Sequence, residues 1–275
     1  MKIYRFIFIV ISLFIISACG SEMTPEKRMF ELREFTEKGE FDKALGHFEV
    51  LKKIRPTDPI VLFNGAKAYF GLEMYDSSLV YAKKYCALYS DDSDGYRLLY
   101  KVGGVLEDYS QQLWALSQLG YKEKNRARYL PDIAELNLKN ENPGLAVAVC
   151  RDILEYDPEN SRVLFTLATG LMSIGKSDSA ILVLEHLDRN QPNQVEVLAN
   201  LATYYAVINK VTLAEDKFGQ LTVLFPDFLP GWFGLGNVLA LKGDTAGALE
   251  AYENVFVYDS AFLGVDTLMR NLGGL

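Results

Sequence analysis

The chain has 275 residues, 49% of them apolar, and its formal net charge at pH 7 is −8. An acidic protein with no basic stripe of interleaved aromatic residues is disfavoured as a nucleic-acid binder, so we expect no nucleic-acid partner. A chain of this length would ordinarily fold as one or two globular domains.

The chain begins with a short charged segment that is followed by an apolar one. Lys2 and Arg5 precede a run of thirteen apolar or small residues from Phe6 to Ala18. A membrane-spanning helix needs about 20 apolar residues, so this run is too short to span a bilayer. A charged start and an apolar segment of this length are typical of a secretory signal. We therefore expect residues 1–18 to be a signal peptide and the chain to be exported.

The end of this segment, Ile16-Ser17-Ala18-Cys19, resembles the lipobox of bacterial lipoproteins. The resemblance implies that Cys19 is acylated and that residues 19–24 are a short tether to a membrane. Because Gly20 follows the cysteine where aspartate would favour the inner membrane, we expect a lipid-anchored protein of the bacterial cell envelope, on the outer membrane and facing the periplasm. An ordinary cleaved signal with an incidental cysteine is the alternative. Removal of residues 1–18 changes the net charge to 26 − 36 = −10.

One pattern recurs through the rest of the chain at a constant interval of 34 residues. It is clearest where Trp232, Leu235 and Gly236 are followed by Ala248 and Tyr252. Residues at intervals of 34 before Ala248 are mostly alanine, and those before Tyr252 are all apolar. The first series is Ala214, Ala180, Ala146, Gln112, Ser78 and Ala44, and the second is Phe218, Leu184, Cys150, Leu116, Ala82 and Phe48.

This pattern resembles the signature of the tetratricopeptide repeat, W-x2-L-G-x2-Y followed by A-x3-F. Seven units fit between Pro25 and Phe262, since 7 × 34 = 238. The resemblance implies an all-α fold, a right-handed superhelical solenoid of seven helix-turn-helix repeats with a concave face. The units are expected at residues 25–58, 59–92, 93–126, 127–160, 161–194, 195–228 and 229–262, with a C-terminal cap at 263–275.

Each unit is expected to form two antiparallel helices. In the last unit these are Leu229 to Lys242 and Thr245 to Tyr258, with Gly243 and Asp244 ending the first and Thr245 capping the second. The small residues of the first series mark where the two helices of a unit approach closely, and the larger apolar residues of the second series fill the space beside them. Prolines at one repeat position end the second helices, because proline lacks an N–H donor. They are Pro56, Pro158, Pro192 and Pro226.

The third unit departs most from the pattern. Gln112 takes the place of the small residue, Lys124 takes the place of the proline, and Gly103-Gly104 is expected to interrupt the first helix. Two interpretations stay open, a functional bend or binding notch and plain divergence of a helical pair. Beyond Phe262, we expect Asp266 to cap a short helix that covers the last repeat and stops at Gly273-Gly274.

The sequence carries no recognisable catalytic or metal-binding motif. It lacks a glycine-rich phosphate loop, Cys-x-x-Cys, His-Glu-x-x-His and a nucleophile elbow, so we expect no enzyme, cofactor or metal. We interpret Cys150 as a core residue and expect it and Cys86 to be unpaired. His47 and His186 are predicted to be surface residues.

The resemblance implies that a ligand would lie on the first helices of the units, which line the concave groove. The amino-terminal half offers an interrupted basic strip, suited to an acidic segment or a chain terminus, and the carboxy-terminal half offers aromatic and amide side chains, suited to an extended or helical peptide. The candidate groove residues are Arg33, Asn64, Lys67, Arg97 and Lys101 in the first half, and Phe165, Thr169, Met172, Asn200, Thr203, Phe233 and Asn237 in the second.

Some members of the family hold a peptide carboxylate with Lys and Asn in one unit, Asn in the next, and Lys and Arg in the third. Here Asn64 occupies the middle place, but Met29 and Arg33 stand in the first unit and Asp94 and Leu98 in the third. We therefore do not expect this carboxylate clamp.

Two functions remain as hypotheses. The first is a membrane-anchored envelope scaffold that binds a protein or peptide partner in its groove, in assembly or regulation of an envelope complex. The alternative is a ligand-binding or glycan-binding lipoprotein of an outer-membrane nutrient-uptake system. The absence of insertions between units and the presence of only two tryptophans favour the first.

Overall fold

The computed structural model describes residues 23–273, which form fifteen α-helices and two short 3-10 turns, with no strand among them. The predicted all-α fold of consecutive helix-turn-helix repeats is confirmed. The chain divides into two compact units, with the division between Asn125 and Arg126.

The first unit contains three antiparallel helix pairs, each made from helices that are adjacent in the chain. They are α1 (Pro25–Lys38) with α2 (Phe41–Ile54), α3 (Pro59–Gly71) with α4 (Tyr75–Leu88), and α5 (Ser93–Val105) with α6 (Tyr109–Lys122).

The second unit contains four such pairs and a terminal helix, and it starts with a 3-10 turn at Arg126–Tyr129. The pairs are α7 (Leu130–Lys139) with α8 (Pro143–Leu154), α9 (Ser161–Ser173) with α10 (Ser177–Asn190), α11 (Val195–Val207) with α12 (Val211–Leu224), and α13 (Leu229–Lys242) with α14 (Thr245–Phe256). A second 3-10 turn, Phe262–Gly264, leads into α15 (Val265–Asn271).

Every helix pair reverses direction through a residue with left-handed backbone geometry. The seven residues recur at intervals of 34, and their φ angles lie between 54° and 80°. Glycine adopts this geometry without steric penalty, whereas glutamate and asparagine adopt it because the hairpin requires it. The residues are Gly39, Glu73, Glu107, Glu141, Gly175, Asn209 and Gly243. The 34-residue period of the sequence is therefore also a period of the backbone.

Side-chain caps fix where several helices begin. Asp58 Oδ1 accepts the Ile60 N–H at 2.9 Å, directly before the proline that opens α3. In the last repeat, Asp244 Oδ1 accepts the Gly247 N–H at 3.0 Å, and Thr245 is the first residue of the helix. The predicted cap at Thr245 is therefore wrong by one residue, because Asp244 directly precedes the helix and its side chain accepts the capping hydrogen bond.

Small residues on the first helices make room for large residues on the second helices. A Cβ atom added to Gly236 would lie 2.4 Å from the Tyr252 ring, and one added to Gly234 would lie 2.2 Å from the Phe218 ring. Such distances are far below van der Waals contact, so these positions must stay without a side chain. The predicted small-to-large packing is therefore present in the last repeat.

A tyrosine–glutamate hydrogen bond joins adjacent repeats at two equivalent places. Tyr69 Oη donates to Glu49 Oε1 at 2.8 Å in the first unit, and Tyr205 Oη donates to Glu185 Oε1 at 2.6 Å in the second. The two bonds are four repeats apart, since 205 − 69 = 4 × 34. Burial, followed by the hydrogen bond to the carboxylate, raises the pKa of both tyrosines, so each stays a donor at neutral pH.

The two glycines of the third repeat do not interrupt its first helix, contrary to the prediction. Helix α5 runs through Gly103 and Gly104, and both face Gln112 of α6. A Cβ atom at Gly103 would lie 3.1 Å from Gln112 Cγ. The glycines therefore compensate for the larger residue at the small position, where buried Gln112 donates to the Tyr100 carbonyl at 3.4 Å.

The terminal helix α15 covers the last repeat, because Val265 and Met269 are buried against Ala248 and Tyr252. Gly264 with φ 72° occupies its N-cap, and no side chain caps it. The predicted cap at Asp266 is therefore wrong. Asp266 lies within the first turn, where its carboxylate is 3.6 Å from Arg270.

Candidate functional site

A depression of about 370 Å³ lies on the first unit, between α1, α3 and the start of α5. It brings together three of the predicted groove residues, Arg33, Asn64 and Lys67. The complete lining is Arg33, Glu37, Pro59, Ile60, Phe63, Asn64, Lys67, Tyr85, Asp92 and Asp94. The other two residues predicted for this half, Arg97 and Lys101, lie exposed on α5 outside this lining.

The predicted basic strip consists largely of cations that already contact carboxylates. Arg33 Nε donates to Glu37 Oε1 at 2.8 Å, and this hydrogen bond lowers the pKa of the Glu37 carboxyl. Arg97 donates to Asp94 at 2.8 Å and also to Glu123. Positive and negative groups therefore alternate on this surface, so it suits a ligand that carries both charges.

Lys67 is held differently from the arginines. Its ammonium lies 5.6 Å from the centre of the Phe63 ring, within the range of a cation–π contact. The Phe63 ring packs at 5.1 Å on Tyr85, whose hydroxyl donates to Asp92. The floor of the depression is thus aromatic, and Lys67, unlike Arg33, contacts one of its rings.

The prediction that Asn64 is exposed is wrong, although the residue lines the depression. Asn64 is 7% exposed, and its Nδ2 donates to the Ile60 carbonyl one helical turn earlier at 2.8 Å. Its repeat position is not buried throughout the chain: Leu98 and Thr166 are buried there, whereas Phe30 is 68% exposed.

In the second unit the predicted residues of α9 are only partly exposed. Phe165 and Met172 pack against the hydrophobic core, and the Met172 sulfur accepts a hydrogen bond from Ser177 at 3.3 Å. Thr169 Oγ1 donates to the Phe165 carbonyl at 3.1 Å. These side chains are therefore only partly accessible to a ligand.

The predicted polar residues of α11 bond within their own helix. Asn200 Nδ2 donates to the Glu196 carbonyl at 2.8 Å, and Thr203 Oγ1 donates to the Ala199 carbonyl at 2.7 Å. Asn200 keeps its amide oxygen as an acceptor for a ligand.

The two predicted residues of α13 support the packing of the last repeat. The Phe233 ring lies 6.0 Å from that of Tyr252 and 5.7 Å from that of Phe262. Asn237 Oδ1 accepts the hydroxyl of Tyr252 at 2.7 Å. Because this bond satisfies a buried hydroxyl, Asn237 holds Tyr252 in place.

Sequence reasoning missed Phe63 and the carboxylates Glu37, Asp92 and Asp94. The sequence does indicate that Asp92 caps a helix, since aspartate is a common N-cap residue. Asp92 directly precedes α5 and accepts the Asp94 N–H at 2.9 Å. That the same aspartate reaches Tyr85 of the preceding helix depends on how the repeats pack, and no local pattern indicates it.

His47 is not a surface residue, although the sequence predicted it to be one. Its ring is stacked on Phe35 at 5.5 Å, and its Nε2 lies 3.4 Å from Glu31 in a side chain that is 15% exposed. The His186 side chain is more exposed than that of His47, and its Nε2 lies 3.0 Å from Glu159 Oε2. Within residues 23–273, no three His, Cys, Asp or Glu side chains converge on a possible metal site.

Cys86 and Cys150 are buried and unpaired, as predicted. Burial raises the pKa of both thiols to about 12, so very little reactive thiolate is present at neutral pH. The predicted lipidation site, Cys19, and the predicted signal peptide lie outside the described residues. None of the helices among residues 23–273 has the length and apolar character needed to cross a bilayer.

Comparison with known proteins agrees with the repeat pattern. Residues 137–203 match the tetratricopeptide repeat family. Over 129 residues, 45% of the chain, it is 26% identical to the anaphase-promoting complex subunit CDC16 of Saccharomyces cerevisiae. The chain spans only 15% of the length of that relative.

Two solved structures share the fold. The C-terminal part of a TPR repeat-containing protein from Cytophaga hutchinsonii superposes with a TM-score of 0.64 at 13% identity, covering 87% of this chain and 98% of that one. A tetratricopeptide repeat protein from Parabacteroides merdae gives 0.59 at 13% identity, covering 90% and 98%. Residues 137–203 therefore match the tetratricopeptide repeat family, and the chain, with its 34-residue period in both sequence and backbone, has the fold of tetratricopeptide-repeat proteins.

Proposed function

We propose that this tetratricopeptide-repeat scaffold is a lipoprotein of the bacterial cell envelope, and that it binds a protein or peptide partner on the first helices of its repeats. In this proposal a lipid on Cys19 holds the chain on the outer membrane, facing the periplasm, where it serves assembly or regulation of an envelope complex. Repeats of this kind stack into extended surfaces for protein–protein interaction.

The depression on the first unit is the observation that supports partner binding most directly. It combines an aromatic floor at Phe63 and Tyr85, a cation at Lys67, and carboxylates at Asp92 and Asp94. A peptide can bury an apolar side chain on such a floor while its charged groups meet the rim. We infer a peptide with basic and acidic residues on either side of an apolar one.

Charge reversal at Lys67 should weaken partner capture by about fivefold or more, because the partner's acidic group loses its cation and meets a like charge. A photo-crosslinking amino acid at Ile60, which lines the depression, would mark the partner in cells for mass spectrometry. The matched control is Lys84→Glu, which makes the same charge change on the exposed surface of α4. Equal crosslinking in the two charge variants would contradict the proposal for this depression.

Membrane attachment rests on the sequence alone and has its own test. Replacing Cys19 with alanine should move the chain from the membrane fraction to the soluble fraction and abolish incorporation of a labelled fatty acid, since stable anchoring requires acyl chains. The buried Cys86 and Cys150 remain in the variant, so any residual label would report on them. Unchanged membrane association would contradict the lipid anchor but leave partner binding open.

A further inference from the structure

The outer surfaces of the last two repeats carry the same exposed stripe twice. On α12, Asp216, Gln220 and Val223 follow at intervals of four and three residues. Glu250 and Asn254 of α14 and Val257, the residue that caps its C-terminus, follow at the same intervals. Residues at i, i+4 and i+7 share one face of a helix. Each stripe therefore runs from an acid through an amide to a valine.

The valines of both stripes are strongly exposed. Val223 is 80% exposed and Val257 is 79% exposed, and each is followed by a further exposed apolar residue, Leu224 or Tyr258. Helices α12 and α14 both pack against α13, to which each is connected by a short turn. They therefore run in the same direction, and their apolar ends lie at the same end of the layer.

The acidic ends of the stripes lack cations. Within the described part of the chain, no lysine, arginine or histidine forms an ion pair with Asp216, Glu250, Glu253 or Asp259. By contrast, Glu215 beside them is paired with Lys242. Lys217 is paired with Asp188 at 2.7 Å, and its ammonium also donates to Gln220 of the first stripe at 3.3 Å. The surface thus combines exposed apolar side chains with carboxylates that have no ion-pair partner.

A depression of about 570 Å³ runs along the first stripe, lined by Asn193, Glu215, Asp216, Gly219, Gln220, Val223 and Leu224. A Cβ atom added to Gly219 would meet nothing within 4 Å, so the floor is open. The equivalent stripe of the preceding repeat is Leu182, His186 and Arg189. Arg189 occupies the repeat position of Val223 and Val257. The stripe that runs from an acid to a valine is therefore found in the last two repeats and not in the one before them.

We propose that this surface, formed by the two stripes with Leu224 and Tyr258, is a second docking site, separate from the first helices, and that it binds a basic amphipathic helix of a partner protein. Charge complementarity selects the partner: lysines or arginines flanking an apolar face would meet the carboxylates of Asp216 and Glu250 while the apolar face covers the valines. Contiguous exposed apolar side chains with a polar rim are typical of protein-binding surfaces.

The test uses a fluorescent peptide of about 18 residues, or five helical turns, with leucine on one face and lysine on the other, titrated with the full chain and followed by anisotropy. Asp216→Lys/Glu250→Lys and Val223→Ser/Val257→Ser should each weaken binding by about tenfold or more. Gly219→Phe should weaken it too, because the added ring occupies the depression. A thermal melt of each variant shows that the fold is kept.

Two variants and two peptides serve as controls. Leu182→Ser, on the exposed surface of α10, and Lys67→Glu, on the first helices, should leave peptide binding unchanged, which also separates this site from the proposed groove function. A peptide with glutamate replacing lysine, or a scrambled peptide without an apolar face, should bind weakly. Equal binding of these peptides, or full binding by the valine variants, would overturn the proposal. A concentration-dependent dimer that the valine variants abolish would overturn it in favour of a second copy of this chain.

Discussion

Replacing Phe48 with alanine should lower the free energy of unfolding of the first unit by about 3–5 kcal/mol, the range typical of a fully buried phenylalanine. Phe48 has no exposed surface, and its ring makes edge contacts with Tyr69 at 5.6 Å and Tyr81 at 4.8 Å. It also fills the space left by Gly65, whose Cβ would lie 2.2 Å from the ring. The substitution therefore leaves a cavity between the first repeat and the second.

Hydrogen exchange read by mass spectrometry would measure this effect helix by helix, which suits a repeat protein whose units unfold separately. We expect faster exchange in α1 to α4 and little change in the second unit. Phe30→Ala is the matched control, because Phe30 lies 68% exposed on α1 and its removal should change stability by no more than about 0.5 kcal/mol. If both variants exchange alike, Phe48 does not hold the two repeats together.

Replacing Gly236 with alanine should destabilise the last repeat by about 1–3 kcal/mol, the usual effect of overpacking. This reverses the usual order, because alanine in a helix is ordinarily more favourable than glycine by about 1 kcal/mol. The new Cβ would lie 2.4 Å from the Tyr252 ring, which is buried and held by its bond to Asn237. The ring therefore cannot move aside without breaking that bond.

A double-mutant cycle tests this explanation. In a Tyr252→Leu background the smaller side chain leaves room for a methyl group, so Gly236→Ala should become neutral or stabilising. Urea unfolding followed by circular dichroism gives the four stabilities. An equal loss from Gly236→Ala in both backgrounds would show that the Tyr252 ring is not the cause.

The candidate site shows where sequence reasoning stops. Helix faces followed from the period, and so did the placement of Arg33 and Lys67 on adjacent first helices. The period did not show that Asn64 lines the depression with only 7% of its surface exposed, nor that the neighbouring Phe63 lines it too, because the exposure of each depends on the packing of adjacent repeats. Nor could it place His47 against Phe35 and Glu31, since that contact depends on the packing of two whole helices.

The sequence by itself determined the all-α class, the 34-residue period, the pairing of helices and the small-to-large packing. Each of these follows from local rules that repeat along the chain: helix propensity, turn residues, and apolar positions on one helix face. The tertiary structure decided which charges are neutralised, which glycines admit a larger neighbour, and which surfaces stay open. Arg33 with Glu37, Gly103 with Gln112, and the unpaired acids of α12 and α14 are examples. Such pairings depend on which side chains the neighbouring helices bring within contact distance, and a repeat pattern does not specify those individual contacts.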